Sequence, residues 1–115
     1  MYARAYKYIG KSCDFVCPVS GMVRNVNEKY IERKLVEKVR ERGGLAFKFV
    51  SPGADGVPDR LVLLPGKRIA FVELKSPGKM MRPLQLRQKE KIERLGFSVY
   101  CVDSVDEIGG VLDEI

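Results

Sequence analysis

Asp59, Glu73 and Lys75 are the residues that do chemistry together if the chain brings them to one place: two carboxylates to hold a cation and an ammonium to orient a nucleophile. Their neighbours say how that happens. In a strand from Arg68 to Lys75, alternation sets Ile69, Phe71, Glu73 and Lys75 on one face and Ala70, Val72 and Leu74 on the other. A carboxylate and an ammonium thus continue an otherwise apolar face. Pro65-Gly66-Lys67, just before it, is a hairpin signal. As a three-residue loop it pairs Leu64 with Arg68, and the same register sets Asp59 directly opposite Glu73, with Cβ atoms about 4.5–5.5 Å apart. Two like charges that close need a cation or a shared proton, and a divalent ion meets the need. A register slip or a bulge would spoil the pairing. The plain alternative is a solvated strand end at Glu73 and Lys75, with Asp59 finishing a Pro-Asp turn.

The helix upstream weighs toward the first of these. At about 100° per residue, Ile31, Leu35, Val39 and Val36 form an apolar arc, and Glu32 falls inside it. An unpaired buried carboxylate is costly, so Glu32 wants a partner. That partner is either a lysine or the same metal centre, reached directly or through water. Glu28 lies in the first turn, where the helix dipole accounts for it. In the next helix Leu84, Ile92 and Leu95 form the expected buried stripe, and Gln85 borders it at the N-terminal end. An amide there either orients a water or a phosphate oxygen, or is a boundary residue without function.

The elements that must position these groups follow from caps, turns and periodicity. Asn27 is the expected N-cap of a helix through Glu41, stopped by Gly43-Gly44. Leu45 to Val50 reads as a strand, 51 to 56 as a turn-rich loop, and Arg60 to Leu64 with Arg68 to Lys75 as the hairpin. A basic loop from Ser76 to Arg82 leads to Pro83, which opens a helix ending at Gly96. Ser98 to Val102 is a short strand and Val105 to Ile115 a terminal helix. The order α-β-β-β-α-β-α predicts an α/β fold, one mixed β-sheet flanked by helices. Residues 1–26 read differently, as an N-terminal basic extension with Arg4, Lys7, Lys11 and Arg24 against Asp14 and no sustained period.

Composition narrows the chemistry. The 115 residues suffice for one core, and the net charge of +6 favours a polyanionic partner. With no histidine in the chain, Ser-His-Asp, Cys-His and His-dependent metallohydrolase catalysis are excluded. Cys13, Cys17 and Cys101 are an odd count without a signal peptide, which speaks for a reducing, intracellular setting and against a disulfide framework. No apolar run approaches the length of a membrane span. Lys48, Ser51, Lys79 and Arg82 lie in or beside the loops flanking the hairpin, where they would hold a phosphate backbone.

Gly56-Val57-Pro58-Asp59-Arg60 followed by Glu73-Leu74-Lys75 resembles the PD-(D/E)xK nuclease superfamily. Within it, the chain is similar to the VRR-NUC family. The likeness also rests on Gly44, Lys48, Ser51, Gly53, Phe71-Val72, Pro77-Gly78, Pro83-Leu84-Gln85 and Gly96, and covers Asn27 to about Asp106. It implies a restriction-endonuclease-like core, with 27–115 as the nuclease domain, and a Mg²⁺- or Mn²⁺-dependent enzyme. It makes Asp59, Glu73 and the Leu74 carbonyl metal ligands, sets Lys75 against the attacking water, has Glu32 complete the centre, and leaves Gln85 as its polar neighbour. Such stand-alone proteins occur in phages and bacteria, so the cytoplasm of a bacterium or of a phage-infected host is expected. They work as homodimers on branched DNA such as Holliday junctions, and a small subunit hardly spans two strands alone. The competing expectations are a DNA-binding module with a vestigial centre and a nuclease acting on flaps, single strands or RNA.

Overall fold

A computed structural model describes residues 27–115. The basic extension 1–26, with Cys13 and Cys17, lies outside the described residues. Helix α1 spans Glu28–Glu41. Its start is held by Asn27, whose Oδ1 accepts a 2.9 Å hydrogen bond from Tyr30 N, as the cap residue type implies. Its end is made by Gly43, in the left-handed region at φ 81°, and by the Gly44 N–H, which donates to Val39 O at 2.9 Å. A side chain at Gly44 would run into the Leu63 carbonyl, so the glycine also lets strand and helix meet closely.

Four strands follow: β1 (Leu45–Lys48), β2 (Arg60–Leu64), β3 (Arg68–Leu74) and β4 (Ser98–Val102), with helix α2 (Pro83–Arg94) before β4 and helix α3 (Asp106–Glu114) after it. The sheet order is β1-β2-β3-β4. The first three strands are antiparallel, and β4 joins β3 in parallel through the α2 crossover. This is the mixed α/β architecture expected of the sequence. The hairpin register is also as expected, from Leu64↔Arg68 to Arg60↔Val72. Its loop turns through Gly66 at φ 88° and Lys67 at φ 64°.

Strand β1 is shorter than the expected Leu45 to Val50. After Lys48 only the Phe49 N–H continues the ladder, to Asp59 O at 2.9 Å, and Val50 is exposed because Pro52 and Gly53 turn the chain away. Strand β3 ends at Leu74, but Lys75 N still donates to Val102 O at 2.9 Å.

Helices α1 and α3 share one face of the sheet. Ile31, Leu35 and Val39 of α1 and Ile108, Val111 and Leu112 of α3 pack on Val62, Leu64, Ala70, Val72 and Leu74 in one closed core. Each such side chain stabilises the fold by about 1.5–3 kcal/mol. Arg42 ties the two helices, bonding Asp113 Oδ1 at 2.5 Å and the Gly109 carbonyl at 3.3 Å.

Helix α2 departs from expectation. The stripe read as buried is largely open: Leu84 is 41% and Leu95 77% exposed, while Gln85, at 6%, is the helix's buried residue. The helix rests on the β4 side of the sheet, and among the described residues no further layer covers its apolar face. Gly56, at φ 82°, brings the β1–β2 loop against the Leu84 backbone, and Gln88 Nε2 donates to Asp55 O at 3.0 Å. This loop contact and the polar contacts of Gln85 hold the helix start.

Candidate active site

The β2–β3 ladder stops one pair short of Asp59 and Glu73. In place of a backbone pair, Asp59 Oδ2 accepts from Leu74 N at 2.9 Å. The expected opposition of the two acids is therefore realised through a side chain. Buried Pro58 fixes the approach of Asp59 to the strand. In a strand, the N–H and C=O of one residue point the same way, so the Leu74 carbonyl is directed to the Asp59 side. Lys75, next in line, turns back to β4.

Glu73 is 2% exposed. Burial, and then the Asp59 charge beside it, push its carboxyl up to about 7, against the counter-pull of Lys75. The charge of Glu28 adds to the rise. Glu73 Oε2 is well partnered: Gln85 Nε2 donates to it at 2.7 Å and Lys75 Nζ forms an ion pair with it at 3.6 Å. Glu73 Oε1 is buried and has no hydrogen-bond partner. An unpartnered buried oxygen of this kind costs about 1–3 kcal/mol, more if charged.

Gln85 is neither a free boundary residue nor a loose water holder. Its Oε1 accepts from Arg82 N at 2.8 Å at the start of α2, and its Nε2 holds Glu73. The amide thus transmits the position of the helix to the carboxylate.

The helix-one acid lands elsewhere. Glu32 Oε2 accepts from Arg60 Nε at 2.7 Å and from Lys48 Nζ at 3.3 Å. Burial alone would raise its carboxyl, but the Arg60 and Lys48 contacts outweigh it and hold the group below its usual value. Arg60 lies one residue beyond Asp59 and so points to the α1 side of the sheet. Glu32 is therefore paired with two cations, and the lysine among them is one of the two kinds of partner its place in the apolar arc left open. It is Glu28, one turn earlier, whose charge reaches Glu73. The signal was in the sequence, since Glu28 sits within the same arc as Leu35 and Val39.

The backbone-holding candidates surround this centre unevenly. Lys79 and Arg82 are exposed on the loop before Gln85, and Gly78 N in that loop donates to Asp103 Oδ2 at 3.4 Å. Asp103, 4% exposed at the end of β4, was not singled out in the sequence because nothing local marks it. Ser51 is half-buried in the β1–β2 loop, and Lys48 reaches Glu32 rather than the centre.

The donors here are hard oxygens: Asp59, the orphaned Glu73 Oε1 and the Leu74 carbonyl. They fit a divalent cation of the Mg²⁺ type, which keeps part of its water shell. Among the described residues no group of three or more His, Cys, Asp or Glu side chains forms a cage, so water would complete the coordination.

No family model matches the chain. The "Putative nuclease p44" of Acyrthosiphon pisum secondary endosymbiont phage 1 is 51% identical over 84 residues, covering 73% of this chain and 90% of its own length. A solved structure described as a "VRR_NUC domain" superposes with a TM-score of 0.70 at 32% identity, over 75% of this chain and 94% of that one.

Proposed function

The chain belongs to the VRR-NUC family of nucleases, and from that premise we propose a divalent-metal-dependent endonuclease that cuts phosphodiester bonds in branched DNA, Holliday junctions among them. One observation carries the metal assignment: Glu73 Oε1 is buried without a partner beside a second carboxylate, while Oε2 is held by Gln85 and Lys75. Asp59, Glu73 and the Leu74 carbonyl would hold Mg²⁺ or Mn²⁺. Such an ion, when bound, polarises the scissile phosphate and eases deprotonation of the attacking water.

The protein's own groups do the rest. Gln85 keeps Glu73 turned so that Oε1 stays available. The Leu74 N–H keeps Asp59 aimed across the strand end. Lys75 is 14% exposed in its side chain, open enough to reach a ligand and buried enough to act in a low dielectric. Its ammonium orients the attacking water and stabilises negative charge growing on the phosphoryl oxygens. Lys79 and Arg82 hold the backbone without reading bases, which suits recognition by shape.

A homodimer fits the same surface. Leu45 and Phe47 on the edge strand β1, and Leu86 and Phe97 in the α2–β4 region toward the other edge, are each at least 41% exposed. An aromatic row, Phe49–Phe71 at 5.4 Å and Phe71–Phe97 at 6.3 Å, crosses the same sheet face. Contiguous apolar surface of this kind marks association, and a two-fold dimer offers one centre per strand.

The experiment is a cleavage panel of duplex, flap, splayed fork, four-way junction, single-stranded DNA and RNA, with Mg²⁺, Mn²⁺ or EDTA and an Asp59→Ala control. Junction cleavage that needs metal and Asp59 supports the proposal. Cleavage indifferent to chelator rejects the metal assignment. Preferential cutting of flaps, single strands or RNA rejects the substrate assignment, and binding without cleavage under any metal makes the protein a DNA-binding module.

A further inference from the structure

A cavity of ≈ 520 Å³ opens on the flank of α1, lined by Lys29, Glu32, Arg33, Glu37, Arg40 and Arg60 among others. Its two acids are already spoken for. Glu32 bonds Arg60 and Lys48, and Glu37 pairs with Lys34 at 3.4 Å. Lys29, Arg33 and Arg40 form no ion pair among the described residues; Arg33 has only the Tyr30 ring, 5.5 Å from the centroid. All three are exposed. Three uncompensated cations on one helix flank leave a positive field that a charge-balanced, merely solvated face does not have.

The groove lies on the α1 side of the sheet: Arg60 follows Asp59 in the chain but points to the opposite face, and Lys29 stands in the first turn of α1. The guanidinium of Arg60 is anchored by Glu32 Oε2 and by the Ala46 carbonyl at 2.9 Å, so this end of the groove is rigid. At about 1.5 Å per residue, Lys29 to Arg40 covers roughly 16 Å, the length of about five steps of a duplex at 3.4 Å each.

We infer that this groove is a second nucleic-acid site, taking the phosphodiester backbone of a duplex arm of the substrate, with Lys29, Arg33 and Arg40 as the phosphate contacts. The ligand class rests on the nuclease function proposed above; the groove and its charge do not. It is separate from the basic loop at Lys79 and Arg82, and holds the arm on the α1 flank rather than on the face that carries Glu73. Because it acts at a distance from the reacting phosphate, it governs substrate affinity and not the rate of the bound complex.

The test is the salt dependence of binding of the full chain, in the cleavage-deficient Asp59→Asn background, to a fluorescent four-way junction. The probe variant combines Lys29→Ala, Arg33→Ala and Arg40→Ala; all three sites are exposed and alanine favours the helix. A control of equal charge loss combines Lys38→Ala, Lys67→Ala and Arg94→Ala. Loss of three phosphate contacts lowers the slope of log K against log salt by about 2.7. In the Asp59 background, the control keeps the slope within about one unit of the parent's. In the active protein the groove variant raises KM and leaves the single-turnover rate at saturation unchanged. Junctions with arms too short to enter the groove bind the groove variant and its parent alike. An unchanged slope, or an equal fall in the control, overturns the groove while metal-dependent cleavage still stands. A lowered slope in a protein that never cleaves upholds the groove and removes the nuclease function.

Discussion

On the α1 side of the sheet, Val62, Leu64, Ala70, Val72 and Leu74 are sealed beneath two helices, and the side chains of Ile31, Leu35 and Val39 are wholly buried. On the α2 side, Phe71 is half-buried, Phe47 and Phe97 are exposed, and the helix laid over β4 buries mainly Gln85. Two acids make the contrast concrete. Glu32, at the rim of the closed side, is met by Arg60 and Lys48 and stays ionised easily. Glu73, on the open side, is buried against Asp59 with one oxygen unpartnered. Stability is concentrated on one face, and that surplus lets the other face keep an arrangement that weakens the fold unless a cation is bound.

The sharpest way to break this comparison is through the rate of cleavage. Asp59→Asn keeps an acceptor for the Leu74 N–H but removes the charge. It should lower the metal-supported cleavage rate by at least about 10³-fold, roughly 4 kcal/mol of barrier, with little change in thermal unfolding. The complementary change, Leu35→Ala, should cost about 2–5 kcal/mol in denaturant unfolding, with the cleavage rate per folded molecule kept. If the two substitutions had the same profile, the division of labour between the faces would be wrong.

Proton linkage gives a test of opposite signs. The folded-state Glu73 carboxyl, at about 7, lies above the ordinary 4.5, so the folded protein holds a proton that the unfolded chain releases. Its contribution to stability is full below pH 4.5 and is lost as the pH rises through 7, on the order of 2–3 kcal/mol in EDTA. Glu73→Gln should flatten that decline and raise the melting temperature of the metal-free protein at pH 8, while abolishing cleavage. Divalent metal should restore wild-type stability at pH 8 and not that of the variant. Glu32 is shifted downward, so its contribution is present above the ordinary carboxylate value and fades on acidification. Glu32→Gln should therefore destabilise at neutral pH and little at pH 3, as read by urea midpoints.

The smallest effect on the fold is expected at the uncovered apolar surface. Phe47→Ser should change unfolding of the isolated subunit by no more than about 0.5 kcal/mol. Light scattering should nevertheless show a wild-type mass twice that of the variant, and a monomeric wild type would remove the dimer.

Much of this was legible from local signals. Asn27, Gly43-Gly44, Pro83 and Gly96 mark helix ends by chemistry that acts within a few residues, and the alternation from Arg68 to Leu74 separates the two faces. Pro65-Gly66-Lys67 sets the hairpin register, and through it the approach of Asp59 to Glu73. The helix stripes were less legible. The same 3.6-residue period describes a helix pressed into a core and one whose apolar side awaits another surface, so α2 looked buried when Leu84 and Leu95 are open. Asp103 carried no local mark at all, because its partner Gly78 lies on a distant loop.

By itself, then, the sequence determined the order of elements, the hairpin register and the nearness of Asp59, Glu73 and Lys75, because each depends on interactions between residues close along the chain or paired across one turn. Tertiary structure alone decided that Glu32 is met by Arg60 as well as Lys48, which oxygen of Glu73 is left unpartnered, and how Gln85 joins helix to strand. Those outcomes depend on how far α1 is rotated and slid against the sheet and where α2 comes to rest. A shift of one turn exchanges Glu28 for Glu32 while leaving every local pattern unchanged.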